Sequence, residues 1–208
     1  MAYPVSVSVE PNLANRNRLT VAFRLILAIP HMILVGGVGG GLVYRDNPSF
    51  SIGSQNGLLG VVAYFLAIVA WFMIVFGGVH PSGIRQFALF YLRWRVRALA
   101  YLTLLEDPYP PFGDAPYPAS LQVTEPTSPR DRLTVALRIL LAIPQFIVLF
   151  FILFAWVLTT IVAWFAILFT GAYPQGLYDF GGGALRWLIR VEAYMLLLVD
   201  DYPPFSLT

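Results

Sequence analysis

Long apolar runs separated by short polar joints make up this chain, and the same order of runs occurs twice. Val5, Val7 and Val9 alternate with Ser6 and Ser8, the period of a half-buried strand, and Tyr117-Pro-Ala-Ser-Leu-Gln-Val123 repeats the pattern. Both segments are expected outside any bilayer, paired with each other. Arg16, Arg18, Arg130 and Arg132 then mark a change from polar to apolar sequence. Segment A follows (about 18–35 and 132–150), with one arginine (Arg24, Arg138) and one proline (Pro30, Pro144) at matching places; a proline inside an apolar helix predicts a kink. Segment B (about 58–78 and 151–170) lies in runs without a charge, Leu58–Val79 and Ile143–Phe169, each long enough for the ~20 residues a hydrocarbon core requires. Segment C (about 84–105 and 177–199) carries arginines four apart, Arg93 and Arg97 or Arg186 and Arg190, on one helix face.

The repetition is explicit. Arg18-Leu-Thr-Val-Ala-Phe-Arg-Leu-Ile-Leu-Ala-Ile-Pro-His31 returns as Arg132-Leu-Thr-Val-Ala-Leu-Arg-Ile-Leu-Leu-Ala-Ile-Pro-Gln145. Trp71-Phe-Met-Ile-Val-Phe returns at Trp164, and Tyr109-Pro-Pro-Phe112 at Tyr202-Pro-Pro-Phe205. The offset is 132 − 18 = 114 in the first stretch and 164 − 71 = 93 in the second, so the first copy carries an insertion of 114 − 93 = 21 residues between A and B, about 36–57. Its Tyr44-Arg-Asp-Asn-Pro48 must reach water or headgroups, which puts the A–B join at a membrane surface. The domains are therefore membrane repeat 1 (1–113) and membrane repeat 2 (114–208).

The fold class that follows is an all-α integral membrane protein. Each copy contributes about two spans plus a kinked, partly interfacial helix, with Arg138 snorkelling and the short extended segments outside the bilayer. Two spans per copy make the copies parallel, whereas three would invert the second copy, as in many secondary transporters. Arginines at the N-terminus and linker outnumber those of the B–C turns, which by the positive-inside rule places termini and linker in the cytoplasm. Met1-Ala-Tyr-Pro lacks the basic start and apolar stretch of a cleaved signal peptide.

Composition supports the class and removes others. Apolar residues reach 58% of the chain, against ~45–50% in soluble domains. There is no cysteine, hence no disulfide, iron–sulfur ligation or thiol chemistry. All thirteen basic residues are arginine, and the net charge of +2 is too small to imply nucleic acid. His31 and His80 flank segment B and neither recurs in copy two, so capping or surface polarity suits them better than metal or haem. Gly36–Gly41 has small-residue spacing that permits close helix approach, but it lacks the Lys-Ser/Thr of a phosphate loop. Without Gly-x-Ser-x-Gly or a His–carboxylate cluster, no enzyme, cofactor or metal site is expected.

The set Arg-Leu…Leu-Ala-Ile-Pro, Ala-Trp-Phe-Ala-Ile-Leu-Phe-Thr-Gly171, Tyr-Pro-Gln-Gly-Leu177, Arg-Trp…Arg190 and Asp-Tyr-Pro-Pro-Phe205 resembles a bacterial membrane family catalogued as domain of unknown function 4389. That family often occurs as tandem copies. The resemblance covers nearly the whole chain and is better in copy two. It implies a prokaryotic, multi-pass protein of the cytoplasmic membrane, and it brings no activity or site residue with it.

The candidate site is then a charged network: Arg24, Arg93, Arg97 and Asp107 in copy one, and Arg138, Arg186, Arg190, Glu192 and Asp200 in copy two. Intramembrane charge is a functional candidate by default, and two readings follow. In one, the network orients helices in a non-enzymatic structural or accessory subunit that packs with lipids, other membrane proteins or itself. In the other, the arginines line an anion or lipid path in a small channel or transporter.

Overall fold

The computed structural model describes residues 3–38, 53–126 and 130–208, with only the backbone for 53–55. Most of the 36–57 insertion, including Tyr44 to Pro48 and half of the glycine run, lies outside the described residues. The elements are β1 (Val5–Val9), α1 (Arg18–Ala22), α2 (Arg24–Val35), α3 (Gly53–Gly77), α4 (Ser82–Leu102), β2 (Ala119–Val123), α5 (Arg132–Ala136), α6 (Arg138–Thr170) and α7 (Gln175–Met195). The chain is mostly helical, with α3 (from Asn56) and α6 long and apolar enough to cross a membrane. The two extended segments form a small antiparallel sheet, which an all-α description leaves out.

Local chemistry explains the matching starts of the two halves. Asn17 caps α1 by accepting from the backbone N–H of Leu19 and Thr20 (3.1 and 3.2 Å), and Asp131 caps α5 through Leu133 N–H (3.0 Å); both satisfy donors that a helix start leaves free. One residue in each copy, Phe23 or Leu137, leaves helical geometry and separates the short helix from the long one. The break thus falls there, while Pro30 and Pro144 sit inside continuous helix. Both prolines are exposed, so the carbonyl each leaves unpaired is not sealed in the core.

α6 is one helix of 33 residues, about 50 Å long at ~1.5 Å per residue. Its counterpart is interrupted. Val35 ends α2 and Leu58 begins the regular part of α3 after a kink at Gly57; by the two offsets they correspond to Leu149 and Phe151, neighbours near the middle of α6. At the junction Gly57 takes φ 68° and sits against the end of α2, where a Cβ would come within 2.4 Å of Leu34 C; only glycine fits. The insertion therefore opens from the middle of a rod, α2–α3, that otherwise matches α6.

The copies are related by a pseudo-twofold axis. Val7 of β1 faces its own equivalent, Leu121 of β2, which puts the axis through that pair. Trp71 near the end of α3 donates to Val135 O of α5 (2.9 Å), and Trp164 near the end of α6 donates to Val21 O of α1 (2.9 Å). Each rod ends against the residues that open the other, so α2–α3 and α6 run antiparallel. α4 and α7 do likewise: Arg85 at the start of α4 reaches Leu198 O beyond the end of α7 (2.8 Å). The expectation of parallel copies is corrected here, because an antiparallel strand pair on the axis requires the axis to lie across the helices.

Three layers result. α4 from Tyr91 and α7 from Gly181 are almost wholly buried; the strands pack on these helices and so do the rods, and the segments after each helix reach the rods as well. The large exposed apolar side chains belong overwhelmingly to the rods and to α1 and α5, among them Leu25, Phe65, Phe76, Leu140, Phe151 and Phe169. The middle layer is thus the arginine-rich one.

Candidate functional site

The turn that ends α4 or α7 is where the charged side chains collect first. Leu104 and Leu197, at equivalent positions, adopt left-handed backbone (φ 66° and 62°), a conformation costly for a non-glycine residue. Arginines hold these turns. In copy one Arg16 donates to Leu104 O and Leu105 O, and Arg24 to Glu106 O (3.1 Å). In copy two Arg130 donates to Leu197 O (2.8 Å), and Arg138 to Tyr194 O and Val199 O (2.8 and 3.0 Å). Cations at a helix C-terminus also favour its negative dipole end.

One carboxylate serves two guanidiniums in each cluster. Asp107 pairs with Arg16 and Arg24 (2.9 and 2.8 Å), and Asp200 with Arg130 and Arg138 (2.9 Å each). Arg24 lies over the Tyr101 ring (4.0 Å to its centre) and Arg138 over Tyr194 (4.3 Å). Arg138 is buried and does not snorkel: a carboxylate and two carbonyls inside the fold replace the water it would otherwise seek.

The remaining candidates do not join this network. Arg93 and Arg97 pair with Asp114 (3.3 Å for Arg93), a residue absent from the sequence-based set. Arg186 donates to Leu207 O (3.1 Å), and Arg190 to Arg186 O and Ser206 O (3.2 and 2.7 Å). Glu192 meets Arg95, also absent from that set, whose Nε lies 2.9 and 2.8 Å from its two oxygens. Arg95 further donates to Val35 O and Gly37 O. The expected link from segment C arginines to Asp107 and Asp200 is thus corrected, since those acids face the starts of the rods. Recurrence at the 114 offset could have flagged Arg16 and Arg130 as partners; Arg95 and Asp114 have no equivalent in copy two and left no such signal.

His31 is buried, against the expectation of a surface role. Its Nδ1 accepts from Trp94 Nε1 (3.0 Å), an indole that can only donate, so the proton sits on Nε2. The ring stacks on Phe112 (centroids 4.6 Å apart). Gln145 does the same work in copy two, accepting from Trp187 Nε1 (2.8 Å) and donating to Pro203 O (2.6 Å). The Tyr-Pro-Pro-Phe motif therefore docks a turn onto the rod through a polar bridge. His31→Gln is expected to change stability by less than about 1 kcal/mol, whereas His31→Ala, which strands the Trp94 N–H, costs about 1–3 kcal/mol; thermal unfolding in detergent measures both.

Glu106 is buried beside Arg16, with Oε1 unpartnered. Burial first, and then Glu10 and Asp107, push its carboxyl from 4.5 up to about 7, against the pull of Arg16. The folded chain keeps this proton after the unfolded chain has lost it. Stability from Glu106 is complete below about pH 4.5 and is lost as pH rises through 7. Glu106→Gln is expected to flatten that fall in a pH series of melting temperatures.

A cavity of about 300 Å³ lies beside Arg24, lined by Leu102, Thr160, Ile161, Trp164 and Phe165. A second, of about 290 Å³, lies over the Arg95–Glu192 pair, with Tyr64, Leu149, Leu153 and Met195 in its wall. Among the described residues no cluster of His, Asp and Glu could hold a metal ion. A family model described as "Domain of unknown function (DUF4389)" matches residues 55–113 and again 132–206, one match per repeat. No curated protein and no solved structure matches the chain.

Proposed function

The chain belongs to the DUF4389 family, and from that premise we propose that it is a non-enzymatic membrane protein, a structural or accessory subunit that packs with lipids and with other membrane proteins or a second copy of itself. We place it in a prokaryotic cytoplasmic membrane, with the termini and the linker on the cytoplasmic side. The observation that carries the reading is where the charge goes. Acids and carbonyls of the chain itself occupy the buried guanidiniums, while apolar surface is left exposed along both rods.

An arginine-lined anion or lipid path is the second reading, and the cavities beside Arg24 and Arg95 favour it. Arg186→Ala and Arg190→Ala separate the two. Under the structural reading Arg186→Ala frees the carbonyl of Leu207 and Arg190→Ala that of Ser206, each losing about 1–2 kcal/mol in detergent, with no anion flux in proteoliposomes from either variant or parent. Variants as stable as a parent that conducts anions, and conducting less than it does, would replace the subunit reading with the path.

A further inference from the structure

We infer that the chain seats in a single leaflet of an anionic membrane, with the α2–α3 and α6 rods lying in the plane of the interface and the β1–β2 face in water. This rests on the membrane reading above and adds the partner surface and its orientation.

The path of the chain decides between lying flat and crossing. α4 ends beside Arg24, the start of one rod, and the chain next reaches Arg130 beside Asp200, the start of the other. The rods are antiparallel, so these starts lie at opposite ends of the molecule. Between them the chain runs through β2, outside any helix. Rods standing upright would draw that extended segment through hydrocarbon, with the pseudo-twofold axis, and the sheet on it, at the bilayer midplane. Ser6, Ser8, Ser120 and Gln122 are exposed there, and a two-stranded sheet has two open edges. Lipid-exposed sheet edges are not tolerated in a bilayer core.

Length agrees. Exposed apolar side chains run from Leu133 to Phe169, over a rod of about 50 Å, against a hydrocarbon thickness of ~30 Å. Upright, roughly two-fifths of that length would meet headgroups or water; flat, all of it meets acyl chains. The strands pack on α4 and α7 and turn Ser6, Ser8, Ser120 and Gln122 outward, so their face is polar where the rods expose apolar side chains.

Charge fixes the lipid class. Arg18 and Arg132 are exposed at the two ends of the apolar face and have no acidic partner among the described residues. A guanidinium in that place suits a headgroup phosphate, which it binds bidentately.

Single cysteines at Ser82, Ser120 and Gln175, all exposed, are introduced into the full chain and reconstituted in sealed phosphatidylglycerol–phosphatidylethanolamine vesicles. An impermeant thiol reagent and vesicle flotation are the readouts. The inference expects Ser82 and Gln175 variants, which begin α4 and α7 at opposite ends, to label from the same side as Ser120. It also expects a fluorophore attached to single cysteines at Ile139, Phe151, Ile161 and Phe169 to be quenched equally by lipids spin-labelled at one shallow depth. Labelling of Ser82 and Gln175 from opposite sides, with quenching that deepens towards the rod centre, overturns the flat seating and leaves the membrane reading standing. Protein that does not float with vesicles overturns both. Arg18→Gln with Arg132→Gln is expected to cut the preference for anionic over zwitterionic vesicles at least tenfold; an unchanged preference overturns the choice of an anionic leaflet.

Discussion

Replacing Glu192 with alanine is expected to destabilise the chain by about 3–5 kcal/mol, the usual cost of leaving one partner of a buried ion pair uncompensated. Arg95 and Glu192 are both almost fully buried, and their contact joins α4 to α7 across the pseudo-twofold axis. Alanine would leave the Arg95 guanidinium facing Leu149, Leu153 and Leu188 beside the cavity. The internal repeat supplies the matching control. Arg95 corresponds to Leu188 and Glu192 to Leu99, so Arg95→Leu with Glu192→Leu completes an apolar layer that each copy already half encodes. The double variant is expected to recover to within about 1 kcal/mol of the parent, or to exceed it, because a well-packed apolar replacement of a buried pair is often neutral or stabilising. Unfolding followed by tryptophan fluorescence in detergent reads both, and a single variant that keeps parental stability would remove the pair from the forces holding the repeats together.

Asp107→Asn and Asp200→Asn are expected to cost about 2–4 kcal/mol each, less than the central pair because both carboxylates keep some contact with solvent. Each amide would face two guanidiniums that are themselves almost completely buried. The left-handed turns at Leu104 and Leu197 would lose part of the grip that offsets their backbone cost. The two clusters sit at opposite ends of the molecule and share no partner, so their effects should add. Calorimetric melting of both single variants and the double checks this. A half that does not respond would show that the two turns, alike in geometry, are unequal in energy.

Several of these contacts are legible in the sequence. Arg24 and Arg138 recur at one offset, Asp107 and Asp200 at the other, and a repeated cation with a repeated acid is a candidate pair before any coordinates exist. The pairing of β1 with β2 follows from their shared alternation. The partner of each arginine does not follow: Asp107 lies closer in sequence to Arg93 and Arg97 than to Arg24, yet α4 extends away from Asp107 and the start of α2 is brought to it. The Arg95–Glu192 pair is illegible for a different reason. It breaks the repeat, and internal comparison finds only what both copies keep.

Hydropathy and periodicity are local properties, so the sequence by itself determined the duplication, the strands, the apolar length of the rods, the insertion and the absence of cysteine chemistry, while the breaks between helices fell at Phe23 and Leu137 rather than at the prolines. The relative direction of the copies, the burial of α4 and α7 between two unlike faces, and the choice of carboxylate for each guanidinium were decided only in the tertiary structure. These depend on residues up to a hundred or more positions apart, and a repeat closed by an antiparallel strand pair turns one copy against the other in a way that no local pattern records.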